Sequence, residues 1–132
     1  MQTTPTNTTL TEPRYSVKLN NRWMPDMIGL EDSEGSTETY AGIFGQPIQD
    51  FILGDGYKYA VRTKRGKWIE RDKYDATVDL GANNSPITGI RIDGNDICYA
   101  IHVKGGDWLP SAVGGEYITT GLAIDGIWVS KV

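Results

Sequence analysis

The chain has 132 residues, one cysteine and a formal net charge of −4. This length corresponds to about one domain, which can fold without a disulfide or a metal. The single cysteine, Cys98, excludes an internal disulfide framework and a zinc site built from cysteines. Because 13 Lys and Arg are scattered among 17 acids, we do not expect a dedicated nucleic-acid-binding protein. No apolar run reaches membrane-spanning length, so we expect no membrane partner.

Residues 1–13 are polar, rich in threonine and interrupted by two prolines. This composition predicts a flexible linker or arm, and we place a single domain at residues 14–132. The N-terminus lacks the basic region followed by an apolar region that marks a secretory signal. A role outside the cell would therefore require release by lysis, export by another route, or transport as part of a longer chain or particle.

A segment of roughly forty residues occurs three times in the domain, and each copy has diverged from the others. The copies begin with residues 15–25, 59–70 and 99–110, which share a tyrosine, a β-branched residue two positions later and a tryptophan. They end with residues 45–53, 84–92 and 122–129, closing blocks that share alternating apolar residues. We therefore divide the domain into repeats at about 14–56, 57–96 and 97–132.

Apolar and polar residues alternate along the first part of every copy, as they do in half-buried β-strands. Tyr15, Tyr59 and Tyr99 lie on the apolar side of these strands, so we expect them in the core. His102 and Trp128 lie on the opposite side. The alternation therefore predicts that His102 is solvated and that Trp128 is exposed, where it could form a contact surface.

Tight turns are predicted after the first strand of each copy, at Asn20-Asn21, Arg65-Gly66 and Gly105-Gly106. Because no segment has a helical period, the pattern predicts an all-β domain. Three β-rich units that close around a pseudo-threefold axis leave no exposed sheet edge, which favours a β-trefoil-like fold. The fourth strand of a unit would come from residues 38–42 or 77–80. A β-prism or another three-unit β assembly remains an alternative.

Five basic residues cluster near the start of the second repeat, at Lys58, Arg62, Lys64, Arg65 and Lys67. We interpret this cluster as the solvated face of a hairpin. Contact with an anionic polymer is the alternative interpretation.

Two blocks of the sequence resemble a known repeat. Residues 99–110 read Tyr-Ala-Ile-His-Val-Lys-Gly-Gly-Asp-Trp-Leu-Pro, and residues 40–48 read Tyr-Ala-Gly-Ile-Phe-Gly-Gln-Pro-Ile. They resemble tandem modules at the C-termini of phage endolysins and autolysins of clostridia and related Gram-positive bacteria. The resemblance covers nearly all of residues 15–132. It departs in repeat two, where Ile69-Glu70 replaces the usual Leu-Pro, and repeats two and three lack the Tyr-Ala-Gly segment.

The resemblance implies a non-catalytic module, without a cofactor, that anchors a lytic enzyme to peptidoglycan or polysaccharide of a Gram-positive cell wall. Tyr40 and Asp125 match positions of the family motif and are candidates for the ligand site. A phage tail or decoration protein and a free carbohydrate-binding lectin are the alternative functions. The resemblance leaves open whether the chain forms a homo-oligomer or is attached to a catalytic domain.

Trp23, Trp68 and Trp108 occupy the same place in the three copies and are the main candidates for ligand contact. An exposed indole can stack on the C–H face of a sugar ring, whereas a buried indole would only pack in the core. No arrangement of residues indicates a nucleophile with its base, and no pair of acids recurs in all three copies. The one histidine has no partner for a metal. We therefore expect neither catalytic nor metal-binding residues.

Overall fold

The computed structural model of the chain describes residues 13–28, 40–54, 56–75 and 85–131. The regular structure in these residues is entirely β, which confirms the predicted all-β class, and no helix occurs among them. Most of the predicted arm and the second location proposed for a fourth strand, residues 77–80, lie outside the described residues. Pro13, the last residue of the predicted arm, is buried.

The strands in chain order are β1 (Arg14–Leu19), β2 (Arg22–Trp23), β3 (Met27–Ile28), β4 (Asp50–Leu53), β5 (Tyr59–Thr63), β6 (Trp68–Arg71), β7 (Ile87–Ile92), β8 (Ile97–Val103), β9 (Ala112–Val113), β10 (Tyr117–Thr119) and β11 (Ile124–Lys131). They form three antiparallel sheets. The first has the order β2-β1-β3 with β4 also paired to β1, the second β10-β7-β5-β6, and the third β11-β8-β9. Within the described residues, none of these sheets closes into a barrel.

The strand that carries the repeated tyrosine has the same two kinds of neighbour in every sheet. On one side it pairs with the closing block of its own copy, with the partners Tyr15↔Leu53, Tyr59↔Ile92 and Tyr99↔Val129. On the other side it meets the tryptophan segment, with the partners Lys18↔Trp23, Arg62↔Trp68 and His102↔Trp108. Positions that are alike in sequence therefore have like partners in the structure.

Tight turns connect each of these strands to its tryptophan segment, as predicted. Asn20 and Asn21 have φ angles of 51° and 64°, and Gly66 and Gly105 have φ angles of 91° and 76°. Glycine has no Cβ to clash at positive φ, and asparagine tolerates it better than most residues. Two positive φ angles in succession at Asn20-Asn21 match the turn that joins twisted antiparallel strands most directly.

An apolar core lies beneath the sheets. Tyr15, Tyr59 and Tyr99 are 0% exposed, which confirms the prediction from alternation. The closing blocks contribute further core residues and also bond to one another. The N–H of Ile48 donates to the carbonyl of Ile124 (2.8 Å), and the N–H of Ile87 donates to the carbonyl of Ile48 (2.9 Å). These bonds tie all three sheets to the same core.

The opposite face of the sheets is also covered in places, and two predictions from alternation are wrong there. His102 is 8% exposed and Trp128 is 2% exposed, although the alternation predicts both in solvent. Phe44, from the loop before β4, stacks on the His102 ring. Trp128 stands opposite the small residue Ala100 on β8, which leaves room for a large side chain over the sheet. A pattern within one strand cannot indicate either arrangement.

Candidate ligand-binding site

The outer face of the second sheet carries two rows of side chains. Residues directly opposite each other in a sheet place their side chains on the same face. The pairing puts Tyr117, Arg91, Ala60 and Glu70 in one row and Thr119, Gly89, Arg62 and Trp68 in the next. Trp68 and Tyr117 lie on the two edge strands, and the residues between them include Ala60 and Gly89. Because these two are small, the aromatic side chains can lean together across the sheet.

Trp68 and Tyr117 meet edge to face, and we call this pair the Trp68 corner. Their ring centroids are 4.8 Å apart and their planes are inclined by 77°. Trp68 is half-buried, while Tyr117 is 60% exposed. Tyr117 belongs to the third predicted repeat and Trp68 to the second, so the corner joins two repeats. Both of its rings are partly exposed to solvent.

The third sheet carries a second corner of the same geometry. Trp108 and Tyr40 also meet edge to face, with centroids 5.5 Å apart and planes inclined by 77°. Phe44, which is 47% exposed, adds a third ring that stacks on Tyr40 at 4.8 Å. We call these three residues the Trp108 corner. It again joins two repeats, because Tyr40 and Phe44 come from the first and Trp108 from the third.

A buried polar pair lies beneath the rings of the Trp108 corner. We call the residues beneath a corner its floor. Nδ1 of His102 lies 2.5 Å from Oδ1 of Asp125, and the Gly45 N–H donates to Oδ2 of the same carboxylate at 2.7 Å. A register shift between Ile124 and Gly126 turns Asp125 toward His102, as a β-bulge typically does. Phe44 then covers the imidazole at 3.9 Å between centroids. The pair therefore fixes the loop that supplies Tyr40 and Phe44.

A glycine lies beneath each corner and lets other groups approach the backbone closely. A Cβ on Gly126 would lie 3.3 Å from Cη2 of Trp108 and 3.3 Å from Cε1 of Phe44, so the rings lie close above the backbone. A Cβ on Gly89 would lie 2.5 Å from the carbonyl oxygen of Ile118, the neighbour of Tyr117. Even alanine at Gly89 would push β10 away from β7.

The floor of the Trp68 corner is an ion-pair network. Arg91 donates two hydrogen bonds to Glu70 (2.8 and 2.6 Å), and its Nε donates to Asp93 at 3.0 Å. Its guanidinium also donates to the Tyr117 hydroxyl at 3.2 Å and lies 5.2 Å from the centre of that ring. The hydrogen bond from Arg91 lowers the pKa of Glu70, and the bond to Glu70 raises the pKa of Arg91. Both groups stay charged near neutral pH.

Trp23 has a different floor in the first sheet. The place taken by Gly89 and Gly126 in the other sheets is occupied by Asp50, which is opposite Lys18 in the register. Asp50 is buried and accepts a hydrogen bond from Arg71, a residue of β6, at 3.2 Å. Burial raises the pKa of Asp50 to about 6, although the charge of Arg71 opposes this. Asp50 therefore fills space that glycine leaves open under the other two tryptophans.

The predicted site residues thus divide into two groups. Trp68, Trp108 and Tyr40 lie in the two corners. Asp125 is 1% exposed and holds the Trp108 corner from below, so it positions other residues and does not face a ligand. The expected contact surface at Trp128 is wrong, because the indole is buried and its Nε1 has no hydrogen-bond partner in the described structure.

Sequence reasoning missed Phe44 and Tyr117. Tyr117-Ile118 precedes the closing block of repeat three much as Tyr40-Ala41 precedes that of repeat one, but with one residue fewer. Ala41 pairs with Ile127 of β11, and Ile118 pairs with Ile90 of β7. Repeat three therefore keeps an equivalent of the tyrosine segment, although the sequence pattern indicates that it was lost. Its spacing to the closing block was the available signal.

In the described part of the chain, no group of three or more His, Cys, Asp or Glu side chains could hold a metal ion. Among the same residues, no helix is long and apolar enough to cross a membrane. No family model, no curated protein and no solved structure matches the chain.

Proposed function

We propose that the chain is a non-catalytic module that binds a carbohydrate polymer of the Gram-positive cell wall. The two aromatic corners carry this proposal. Each offers an indole and a tyrosine ring at nearly a right angle and partly open to solvent. A sugar ring has an apolar C–H face that packs on an aromatic ring, while its hydroxyls bond to polar groups nearby.

The acids near the two corners support a binding role over a catalytic one. A glycosidase needs one carboxyl group that keeps its proton and a second that stays ionised. Glu70 and Asp93 both pair with Arg91, and Asp125 is enclosed with His102. The pKa of Glu70 is lowered, which is the opposite of what a general acid requires. These carboxylates orient the aromatic residues.

Three units around a pseudo-threefold axis, as in a β-trefoil, are the arrangement that we propose for the whole domain. The equivalent partners of the three tyrosine strands support it. So do the hydrogen bonds from Ile48 to Ile124 and from Ile87 to Ile48, which link the closing blocks in the same sense. In this arrangement one corner forms wherever the tyrosine segment of one unit reaches the tryptophan of another.

The decisive experiment is sedimentation of the purified chain with purified Gram-positive cell walls. We expect the wild type to sediment with the walls, and Trp108→Ala and Trp68→Ala to lose most of this retention. Trp23→Ala is the matched control, because its floor holds Asp50 in place of glycine, and it should retain far more. Circular dichroism and melting curves must show that each variant is folded.

A folded wild-type chain that stays in the supernatant would overturn the proposal. Self-association of that chain into particles would instead favour a structural or assembly role. Release of labelled fragments from the walls by the chain alone would show that it is an enzyme.

A further inference from the structure

The hairpin between β5 and β6 carries a concentration of positive charge that forms no ion pair within the described part of the chain. Arg62, Lys64, Arg65 and Lys67 lie on it or at its base, and the two lysines and Arg65 are exposed. None of the four forms an ion pair with a described residue, in contrast to Arg14, Arg71 and Arg91, which all pair with carboxylates. In a chain with a net charge of −4, this local excess stands out.

The equivalent hairpins lack this excess. In the third sheet, Asp107 stands in the place of Lys67, and His102, in the place of Arg62, is bonded to Asp125. In the first sheet, Lys18 stands opposite Asp50. The excess of positive charge is therefore specific to the hairpin beside the Trp68 corner. The other two hairpins have a similar backbone but lack this charge.

The position of Arg62 connects this charge to the aromatic rings. Arg62 pairs directly with Trp68 in the register, so both side chains lie on the outer face. Its Nη1 donates to the Thr88 hydroxyl at 2.9 Å, which orients the guanidinium. A guanidinium has five N–H donors in a planar fork, and no described residue accepts from Nε or Nη2 of Arg62. Those donors match the two oxygens of a carboxylate or a phosphate.

The hairpin itself is well formed, so its charges are held beside the corner. The Thr63 N–H donates to the Lys67 carbonyl at 2.8 Å, and the Lys67 N–H donates to the Thr63 hydroxyl at 3.1 Å. Gly66 takes a positive φ at the turn. Lys64, Arg65 and Lys67 are consequently presented on a fixed loop next to Trp68.

We propose that the Trp68 corner binds an anionic sugar unit of the wall polymer, one that bears a carboxylate or a phosphodiester. This inference rests on the proposed function and assigns the ligand class of one corner. Trp68 and Tyr117 stack on the sugar ring, Arg62 bonds to its anionic group, and the exposed cations of the hairpin attract the neighbouring charges of the polymer. The Trp108 corner, whose hairpin lacks this excess of positive charge, takes an uncharged unit.

Titration of three soluble glycans tests this ligand class. The probes are polygalacturonate, which carries carboxylates, poly(glycerol phosphate) with sugar substituents, which carries phosphodiesters, and uncharged dextran. We expect at least one anionic probe to bind about tenfold or more tightly than dextran at low salt, and to lose this advantage as salt rises. The two anionic probes distinguish the carboxylate source from the phosphodiester source.

A matched pair of variants locates the effect. Lys64→Gln and Lys104→Gln make the same change at equivalent positions of two hairpins. We expect Lys64→Gln to weaken binding of the anionic probe about fivefold, equivalent to about 1 kcal/mol, and Lys104→Gln to change it less than twofold. Arg62→Gln should weaken it more than Lys64→Gln, because a directional contact is lost together with the charge.

Equal binding of charged and uncharged probes, or equal effects of the two lysine variants, overturns the inference. If the wild type still sediments with walls in that case, the proposed function stands. Single-stranded DNA that binds as tightly as the anionic glycan, without loss in Trp68→Ala, also overturns it, because the hairpin would then attract any polyanion.

Discussion

Asp50 shows how a single residue alters one of three similar sheets. It occupies the position at which the other two sheets have a glycine, and its buried carboxylate forms an ion pair with Arg71 from the second sheet. Desolvation of a carboxylate favours its neutral form, which explains why burial raises the pKa to about 6 despite the nearby guanidinium. Breaking such a pair on one side usually costs about 3–5 kcal/mol, since the remaining charge stays buried.

The pKa of Asp50 predicts a distinct effect of pH on stability. The folded state takes up a proton near pH 6, but the unfolded state only near pH 4, so between these values the folded state binds more protons. The contribution of Asp50 to the free energy of unfolding should therefore increase by roughly 2 kcal/mol as pH falls from 7 to 4. Urea unfolding of the wild type and of Asp50→Asn across this range measures it.

The difference between the two proteins isolates Asp50, because every other titratable group is present in both. At low pH, the free energy of unfolding of the wild type should rise relative to that of Asp50→Asn. A difference that is constant with pH, or that shifts the opposite way, would show that the Asp50 carboxylate is not held in the buried site.

At the scale of elements, the loop at residues 40–47 is the connection between the first and third sheets. Ala41 exchanges backbone hydrogen bonds with Ile127 (2.8 and 2.9 Å), and Gly45 is bonded to Asp125. Gly42 approaches the Asp125 carbonyl so closely that a Cβ would lie 2.4 Å from its oxygen. Tyr40 and Phe44 therefore keep their positions in the Trp108 corner only while the loop packs closely against β11.

Substitutions at two glycines of this loop distinguish the energetic cost of backbone strain from the cost of close packing. Both Gly42 and Gly45 have positive φ (118° and 95°), but a Cβ on Gly45 would meet nothing within 4 Å. Gly45→Ala should cost about 1 kcal/mol of unfolding free energy for φ alone, while Gly42→Ala should cost about 3 kcal/mol because it also displaces β11 or the loop. Chemical unfolding gives both values, and near-UV circular dichroism reports whether the aromatic stack survives.

Equal losses in the two variants would contradict the close approach of Gly42 to β11. In that case the loop would lie farther from the strand than the structure shows, and the Trp108 corner would be more open.

For the whole molecule, the main consequence is that the proposed binding sites depend on contacts between the predicted repeats. Trp108 meets Tyr40 across one junction, and Trp68 meets Tyr117 across another. A single shallow sugar site has an affinity of roughly millimolar to micromolar. Two sites on one polymer act together, and such linkage can raise avidity by about 10² to 10⁴.

Short and long ligands should therefore respond differently to the loss of one corner. With short wall oligosaccharides, one that fits each corner, Trp68→Ala should abolish binding at its own corner and leave the affinity of the other corner unchanged. With the intact polymer, the same variant should lower the apparent affinity by about tenfold or more. Titration calorimetry with the short ligands and sedimentation with the polymer provide the two measurements. If Trp68→Ala weakens binding of the polymer no more than it weakens binding of the short ligand at the other corner, the two corners do not cooperate.

The sequence by itself determined the local structure. Alternation predicted the strands and the buried tyrosines, Tyr15, Tyr59 and Tyr99, because those depend on residues two positions apart. Asparagine and glycine predicted the tight turns. The structure confirms the all-β class that these local patterns predicted. The pseudo-threefold arrangement and the binding of cell-wall carbohydrate remain predictions.

Only the tertiary structure decided what covers the outer faces of the sheets. His102 and Trp128 are buried although their strands place them away from the core, and Phe44 and Tyr117 complete corners whose tryptophans lie far away in the sequence. The physical reason is that alternation specifies only which side of a strand a residue faces. Whether solvent or another segment lies on that side depends on contacts between residues that are far apart in the sequence.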